Sequence, residues 1–374
     1  MPTRRLALIL PLLALPSLLG CGPAQNPAPP AASRESLAAI AKDPGVSATR
    51  LGIAIDELFD AKDSGETQAL LVLYRGRIVA ERYAGGFARD TRFNGWSMAS
   101  SITGVMIGML VSDGRLRLDE TPPVPLWQRS GDPRGEITVR QLLQMRSGLR
   151  HTENADPASD SDTVRMLFLD GRSDIAAYAE AQPLEAEPGR KFEYSSASAA
   201  ILADIAARSL TDSRDPVIRR KLVADFLSTR LFEPVGMRSM VPEFDAAGTL
   251  VGSSMMHGTA RDWGKLGEFL RHGGSVGGAQ LVPRGWIEFM TRPSPRNPAF
   301  GAQVWLNRPA EAADMLFPGK APASLFACVG ELGQYVIVSP GQKLTIVRLG
   351  RSSEMQRAPL RGKLADLVAL FPAG

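Results

Sequence analysis

Strand-like and helix-like patterns are sorted along this chain, and the sorting limits its fold more than any other feature. Residues 69–83 read as a hairpin: Leu70-Leu71-Val72-Leu73-Tyr74, a turn at Arg75-Gly76, then Ile78-Val79-Ala80. Strand patterns return only in the last third, at residues 302–306, 324–329, 334–338 and 344–349. Between them the periodicity is helical, at residues 97–113, 139–145, 174–181 and 196–209, with Pro- and Gly-rich joints. Two further helical segments flank the strands: residues 47–61, with Leu51, Ile55 and Leu58 on one face, and residues 361–370. This order predicts an α/β (α+β) fold in which both chain ends build one sheet, flanked by helices, with an inserted, mostly helical region over about residues 115–265. Within the 97–113 helix, Ser97, Ser101, Gly104 and Gly108 form a stripe of small residues that lets a neighbour pack close.

Composition excludes some function classes. The 43 Lys+Arg against 39 Asp+Glu leave a net charge of only +4, and no long basic run occurs, so nucleic-acid binding gains no support. The three histidines, His151, His257 and His272, lie in no metal-ligand spacing.

The N-terminus reads as an export signal. Arg4 and Arg5 precede an apolar stretch, residues 6–19, of 14 residues. A membrane span needs roughly 20, so the stretch reads as a signal core. Leu18-Leu19-Gly20-Cys21 resembles a bacterial lipobox, which implies removal of residues 1–20 and lipidation of Cys21; the alternative is a plain signal with an incidental cysteine. Residues 22–33 are rich in Pro and Ala, and we expect a tether over residues 21–40 and a single domain over 41–374. The expected place is the periplasmic side of a bacterial membrane, held through lipidated Cys21. Cys328 is then the sole remaining thiol, which rules out an intrachain disulfide.

Three segments carry the chemistry. In Gly95-Trp96-Ser97-Met98-Ala99-Ser100, a serine opens a helix, where its own N–H points out of the helix end and the dipole favours negative charge. A simple N-cap is the plain alternative for Ser97. The second segment is Phe192-Glu193-Tyr194-Ser195-Ser196, and the third Cys328-Val329-Gly330-Glu331-Leu332-Gly333-Gln334. In this order and spacing they resemble the beta-lactamase-related serine hydrolases: class C beta-lactamases, D-alanyl-D-alanine carboxypeptidases, family VIII esterases and, most of all, the 6-aminohexanoate-dimer hydrolases. The likeness extends to Ile137 through Leu149, to Thr259 through Gly267, and to Phe300-Gly301-Ala302-Gln303-Val304-Trp305.

The resemblance implies a beta-lactamase/penicillin-binding-protein-like fold with an antiparallel sheet. It also implies cleavage of an amide or ester bond in a small-molecule or peptide-like substrate through a Ser97 acyl-enzyme, with no metal or organic cofactor. Tyr194 takes the place of the family's proton-shuttling tyrosine, and Ser196 the Asn-like position beside it. Gly330 and Glu331 border the oxyanion strand, with the Glu331 N–H opposite that of Ser97. The Glu331 side chain either points away or serves as a replacement acid/base.

One departure is serious. The family's first motif is Ser-x-x-Lys, and the lysine position here is Ser100. A hydroxyl accepts no proton near neutral pH and offers no positive charge. Three readings stay open: a degenerate homologue that binds peptidoglycan-like or amide ligands without turnover, an enzyme with rewired acid/base groups, or a substitution introduced into an otherwise active enzyme. Two alternatives from outside the family are weaker: a metal hydrolase, for which no ligand motif occurs, and an α/β-hydrolase. Gly95 through Ala99 approaches the nucleophile elbow of α/β-hydrolases, with His257 as a nominal triad member, but residues 89–94 make a poor preceding strand. Trp96, Trp263 and Trp305 either shape a cleft or fill the core.

Overall fold

The computed structural model describes residues 31–310, 316–317 and 320–373. The signal segment and Cys21 lie outside the described residues. In chain order the elements that frame the site are helices α1 (Arg34–Ala38) and α2 (Ala48–Phe59), strands β1 (Glu66–Tyr74), β2 (Arg77–Tyr83) and β3 (Phe93–Asn94), and helix α3 (Met98–Ser112). There follow α4 (Val139–Leu143), α5 (Ile175–Glu180), α6 (Ser196–Leu210), α7 (Pro216–Leu227), β4 (Val241–Pro242), β5 (Met256–Gly258) and α8 (Ala260–Arg271). Strands β6 (Trp305–Leu306), β7 (Phe326–Gly330), β8 (Gln334–Ser339), β9 (Leu344–Arg351) and helix α9 (Glu354–Ala369) complete it.

Both chain ends do build one antiparallel sheet, in the order β2-β1-β9-β8-β7-β6. The N-terminal hairpin joins the C-terminal strands through β1 and β9, with Leu71 opposite Val347 and Val72 opposite Ile346. Alternation along β1 divides the interior in two. Leu70, Val72 and Tyr74 face a core with Leu51, Ile55 and Leu58 of α2 and Leu360, Leu364 and Leu367 of α9. Ala69, Leu71 and Leu73 face the larger core, shared with α3, α6 and α8. Helix α8 lies close on the sheet because two of its contact residues are glycines: a Cβ on Gly264 would sit 2.7 Å from Leu71, and one on Gly267 2.5 Å from Thr345.

Helix α3 is buried from Met98 to Leu110. The small-residue stripe works as close-packing surface, since a Cβ on Gly108 would meet Trp286 Nε1 at 2.2 Å, and that indole donates to the Gly104 carbonyl at 3.0 Å.

Four expectations need correcting. The tether boundary at residue 40 moves back to about residue 33. Ser33 caps α1 and bonds Asp56 through its N–H and its hydroxyl, each at 2.6 Å, while Ile40 bridges Ala80. Only Trp305 and Leu306 of the 302–306 segment are strand, because Gln303 takes a left-handed φ of 63°. The last helix starts at Glu354, not 361, behind a Ser353–Gln356 capping box. It runs through Pro359, whose missing bond would fall to the carbonyl of the exposed Met355. Helices α7 and α8 are absent from the sequence reading; in α8, polar Arg261, Lys265 and Glu268 interrupt the pattern, but Trp263, Leu266, Phe269 and Leu270 are buried on one face.

Candidate functional site

The site assembles where α3, the start of α6 and the end of β7 meet. The loop before α3 is pinned by its backbone: the Gly95 N–H donates to Met256 O at 2.9 Å, and the Trp96 N–H to Asn94 Oδ1 at 3.0 Å. Trp96 takes a φ of 49°, a conformation that costs a bulky residue of order 1–3 kcal/mol and persists only where the surroundings enforce it. The strain turns the chain so that Ser97 heads α3. Ser97 occupies the N-cap position, yet its side chain makes no capping bond. The hydroxyl is left to the cleft, and among the described residues no protein acceptor takes the Ser97 N–H.

The Tyr194 and Ser97 side chains line the same small cavity. The Tyr194 ring stacks on Trp305 at 5.5 Å and meets the edge of Phe300 at 6.0 Å, so the phenol is held from two sides. Burial of the hydroxyl and the negative charge of Glu153 push its pKa well above that of a free tyrosine, the Ser97 hydroxyl beside it offsetting only part of the rise.

Sequence reasoning missed Glu153 and His151. The Glu153 carboxylate accepts from the Ser196 N–H at 2.8 Å and from the Ser196 hydroxyl at 2.6 Å, and it bonds His151 Nε2 at 2.8 Å. Burial alone would raise its pKa, but the His151 and Ser196 contacts outweigh burial and hold the group below the usual carboxylate range. Ser196, at the Asn-like position, thus ties the first turn of α6 to a carboxylate from a loop distant in sequence.

Ser100, one turn along α3 from Ser97, is 4% exposed, and among the described residues its hydroxyl reaches only Ser253 O, at 3.4 Å. The neighbouring Ser101 hydroxyl donates to Gln303 O at 2.7 Å. Between them lies a cavity of about 10 Å³, lined by Ser97, Ser100, Ser101, Tyr194, Phe300, Gln303, Trp305 and Val329. Gln303 Nε2 donates to Leu143 O at 3.0 Å, while Gln303 Oε1 is buried without a partner.

The end of β7 faces the loop before Ser97 backbone to backbone. A Cβ on Gly330 would lie 2.1 Å from Gly95 O, so only glycine fits. Glu331 follows, and its side chain turns away to pair with Arg357 of α9; of the two readings of that side chain, the first agrees with this geometry. The turn after it places Leu332 at a φ of 60° and is held by Arg348, a fully buried arginine that donates to Gly333 O at 2.8 Å, to Glu66 O at 2.7 Å and to Ser352 Oγ at 2.9 Å.

His257 stands opposite Asn94 in the β3–β5 pair and bonds Glu243 at 2.6 Å. The strand before Ser97 has two residues and lies in a small antiparallel sheet, which removes the α/β-hydrolase elbow. Trp263 is core, packed beneath Gly95, whereas Trp305 lines the site. Among the described residues no group of His, Cys, Asp and Glu side chains could hold a metal ion.

The sequence matches the beta-lactamase family over residues 55–370. It is 29% identical over 255 residues to a 6-aminohexanoate-dimer hydrolase of Paenarthrobacter ureafaciens, a stretch that covers 66% of this chain and 62% of that protein, so the match spans less than two thirds of the relative. Two solved structures share the fold. A family VIII carboxylesterase superposes with a TM-score of 0.62 at 16% identity, covering 87% of this chain and 98% of its own. A penicillin-binding protein homologue from Caulobacter crescentus gives 0.60 at 16% identity, covering 86% and 96%.

Proposed function

From the premise that this chain belongs to the beta-lactamase family, we propose that it is a serine hydrolase of amide or ester bonds, with Ser97 as nucleophile, and that it favours esters with good leaving groups. The observation that carries this reading is that Ser97 and Tyr194 line one cavity at the head of a buried helix, with the Ser97 N–H given to no acceptor among the described residues and the end of β7 packed against the loop before it. Ser97 Oγ attacks the carbonyl carbon. Its proton passes to ionised Tyr194 and from there to the leaving oxygen or nitrogen as the scissile bond breaks; water then reverses the sequence to release the acid and restore Ser97. The Ser97 and Glu331 N–H groups receive the oxyanion.

The weak step is the first proton transfer. With Ser100 at the lysine position and negative Glu153 nearby, Tyr194 rests as a phenol near neutral pH. Acylation is therefore slow, and an amide, whose leaving nitrogen must be protonated, suffers more than an activated ester. Incubation with p-nitrophenyl acetate followed by intact-protein mass measurement tests the reading. The expected result is an acetyl adduct on the parent and none on Ser97→Ala.

The enclosed Ser100 and the raised Tyr194 favour a second reading, a domain that holds an amide or peptide-like ligand without turnover. Retained ligand with neither adduct nor product would select it. We also propose that Cys21 is lipidated and places the domain on the periplasmic side of a bacterial membrane; loss of fatty-acid labelling in Cys21→Ala tests that.

A further inference from the structure

We propose that the pocket beside the Ser97 cleft, between Arg190 and Arg296, receives a carboxylate carried by the substrate, so that anionic esters and amides are selected over neutral ones. The inference deepens the reading of Ser97 as nucleophile and rests on it.

Position comes first. The pocket has a volume of about 660 Å³, within the range that takes a small organic ligand. Phe192 is one of its walls, and the Phe192 ring packs on Phe300 at 5.5 Å. Phe300 in turn lines the cavity that holds Ser97 and Tyr194. One layer of rings therefore separates the pocket from the reacting groups, and a substrate chain of a few carbons spans the two.

The lining then selects by chemistry, because its polar side chains are donors. Asn297 is 6% exposed, and its Oδ1 accepts from the Ala299 N–H at 2.9 Å. Its Nδ2, given to no protein acceptor among the described residues, is left for the pocket that Asn297 lines. Arg296 makes no ion pair among the described residues, and Arg190 meets Glu187 at 3.2 Å in an exposed contact of little strength. The other acids of that loop, Glu185 and Glu193, are held by Lys191, and among the described residues no carboxylate lines the pocket. Phe192, Pro298 and Pro309 supply apolar wall.

Charge points the same way. Arg146 stands nearby and gives its N–H groups to neutral acceptors, Gly189 O at 3.1 Å and Gln144 Oε1 at 2.8 Å. Burial, and then the charge of Arg296, hold it below the usual arginine range. Three guanidinium groups from separate segments thus gather at one corner, with exposed Glu187 as the one carboxylate paired to any of them among the described residues. A carboxylate set among them brings acceptors to the donors and a negative charge to a positive corner, while the methylenes behind it suit the apolar wall.

The test compares acylation of Ser97 in the full chain by mono-p-nitrophenyl adipate and by neutral p-nitrophenyl hexanoate, each corrected for hydrolysis in buffer and read by intact-protein mass. Ser97 Oγ bonds the carbonyl carbon, p-nitrophenolate leaves, and the serine proton passes to the buffer. A second pair, 4-acetoxybenzoate and 4-acetoxybenzamide, puts the anion on the leaving group instead. We expect the anionic member of one pair to be preferred by about tenfold or more, as for hydrogen bonds to a charged group, and the pair that shows it tells which side of the scissile bond faces the pocket. Arg296→Gln and Arg190→Gln each lower that ratio, and together they bring it to about one. Sodium chloride lowers it as well. Melting curves report whether each variant keeps its fold.

A ratio near one for both pairs in the parent overturns the inference and leaves the Ser97 reading standing. A preference that survives the double substitution also overturns it. If no ester marks Ser97, equilibrium dialysis of Ser97→Ala with the adipate and hexanoate esters decides: tighter binding of the adipate keeps the pocket and removes the nucleophile, and equal or absent binding removes both.

Discussion

The two sides of the cleft are made of different material. On one side the elements that would receive an oxyanion are main chain: the Ser97 N–H at the head of α3 and the β7 end at Gly330 and Glu331, locked by the Gly330–Gly95 contact and by Arg348 under the turn. On the other side everything is side chain: Tyr194, Ser196, Glu153, Ser100 and Gln303. The first side is suited to the proposed oxyanion role, and the second lines its cavity without a basic side chain. A backbone arrangement survives any substitution that leaves the fold intact, whereas a proton relay fails with one residue.

The comparison can be broken or sharpened by substitution. The largest effect is expected from Ser97→Ala, which removes the atom both sides act on; adduct formation with p-nitrophenyl acetate falls to the level of the buffer reaction. Ser100→Lys repairs the side-chain half alone and is expected to raise the acylation rate by about 10²–10⁴-fold, the usual worth of a positioned acid or base. The pH profile sharpens this further. The raised Tyr194 makes the parent rate climb with pH above neutrality, since only the ionised phenol accepts the Ser97 proton, and Ser100→Lys moves that climb to lower pH. Stopped-flow acylation across alkaline pH would register both.

Damage to the main-chain half is read as stability. Arg348→Ala leaves the Gly333 and Glu66 carbonyls without their donor, and we expect a loss of about 3 kcal/mol in urea unfolding. The smallest effect belongs to Glu331→Gln. Its side chain faces Arg357 and not the cleft, so acylation changes by about twofold or less, as expected for a partly exposed pair; a tenfold change would restore Glu331 as an acid/base group.

A buried acid elsewhere gives the same contrast in another form. Glu180 faces Asp204, and burial together with that negative neighbour pushes it up to about 8, against a usual 4.5. Glu153, flanked by donors, goes the other way. The folded state holds the Glu180 proton where the unfolded chain has released it, so stability falls as pH rises from about 4.5 to about 8. Glu180→Gln flattens that decline, measurable as melting temperature against pH.

The division also explains what was legible in the sequence. Segments whose form follows from local pattern could be read: the β1–β2 hairpin, the C-terminal strands, the buried helix after Ser97 and the glycine at 330. Glu153 could not, because its meaning lies in bonds to His151 two residues away and to Ser196 at a separation of 43. Gln303 was present in a noted segment, but its left-handed backbone and its unpaired oxygen arise only when α3 and the Leu143 carbonyl come together around it. The early start of the folded body had a local sign in Ser33, a capping residue, outweighed by the Pro/Ala run before it.

The Gly330–Gly95 contact has a consequence for repair. Two chain segments touch there with no side chain between them, so substitutions at neighbouring positions remove no side-chain contact from it. Under the proposed function, a change of the side chain at position 100 leaves that backbone receptor for a developing anion in place. Fast chemistry is then to be sought through one side chain, with the cleft left as it stands.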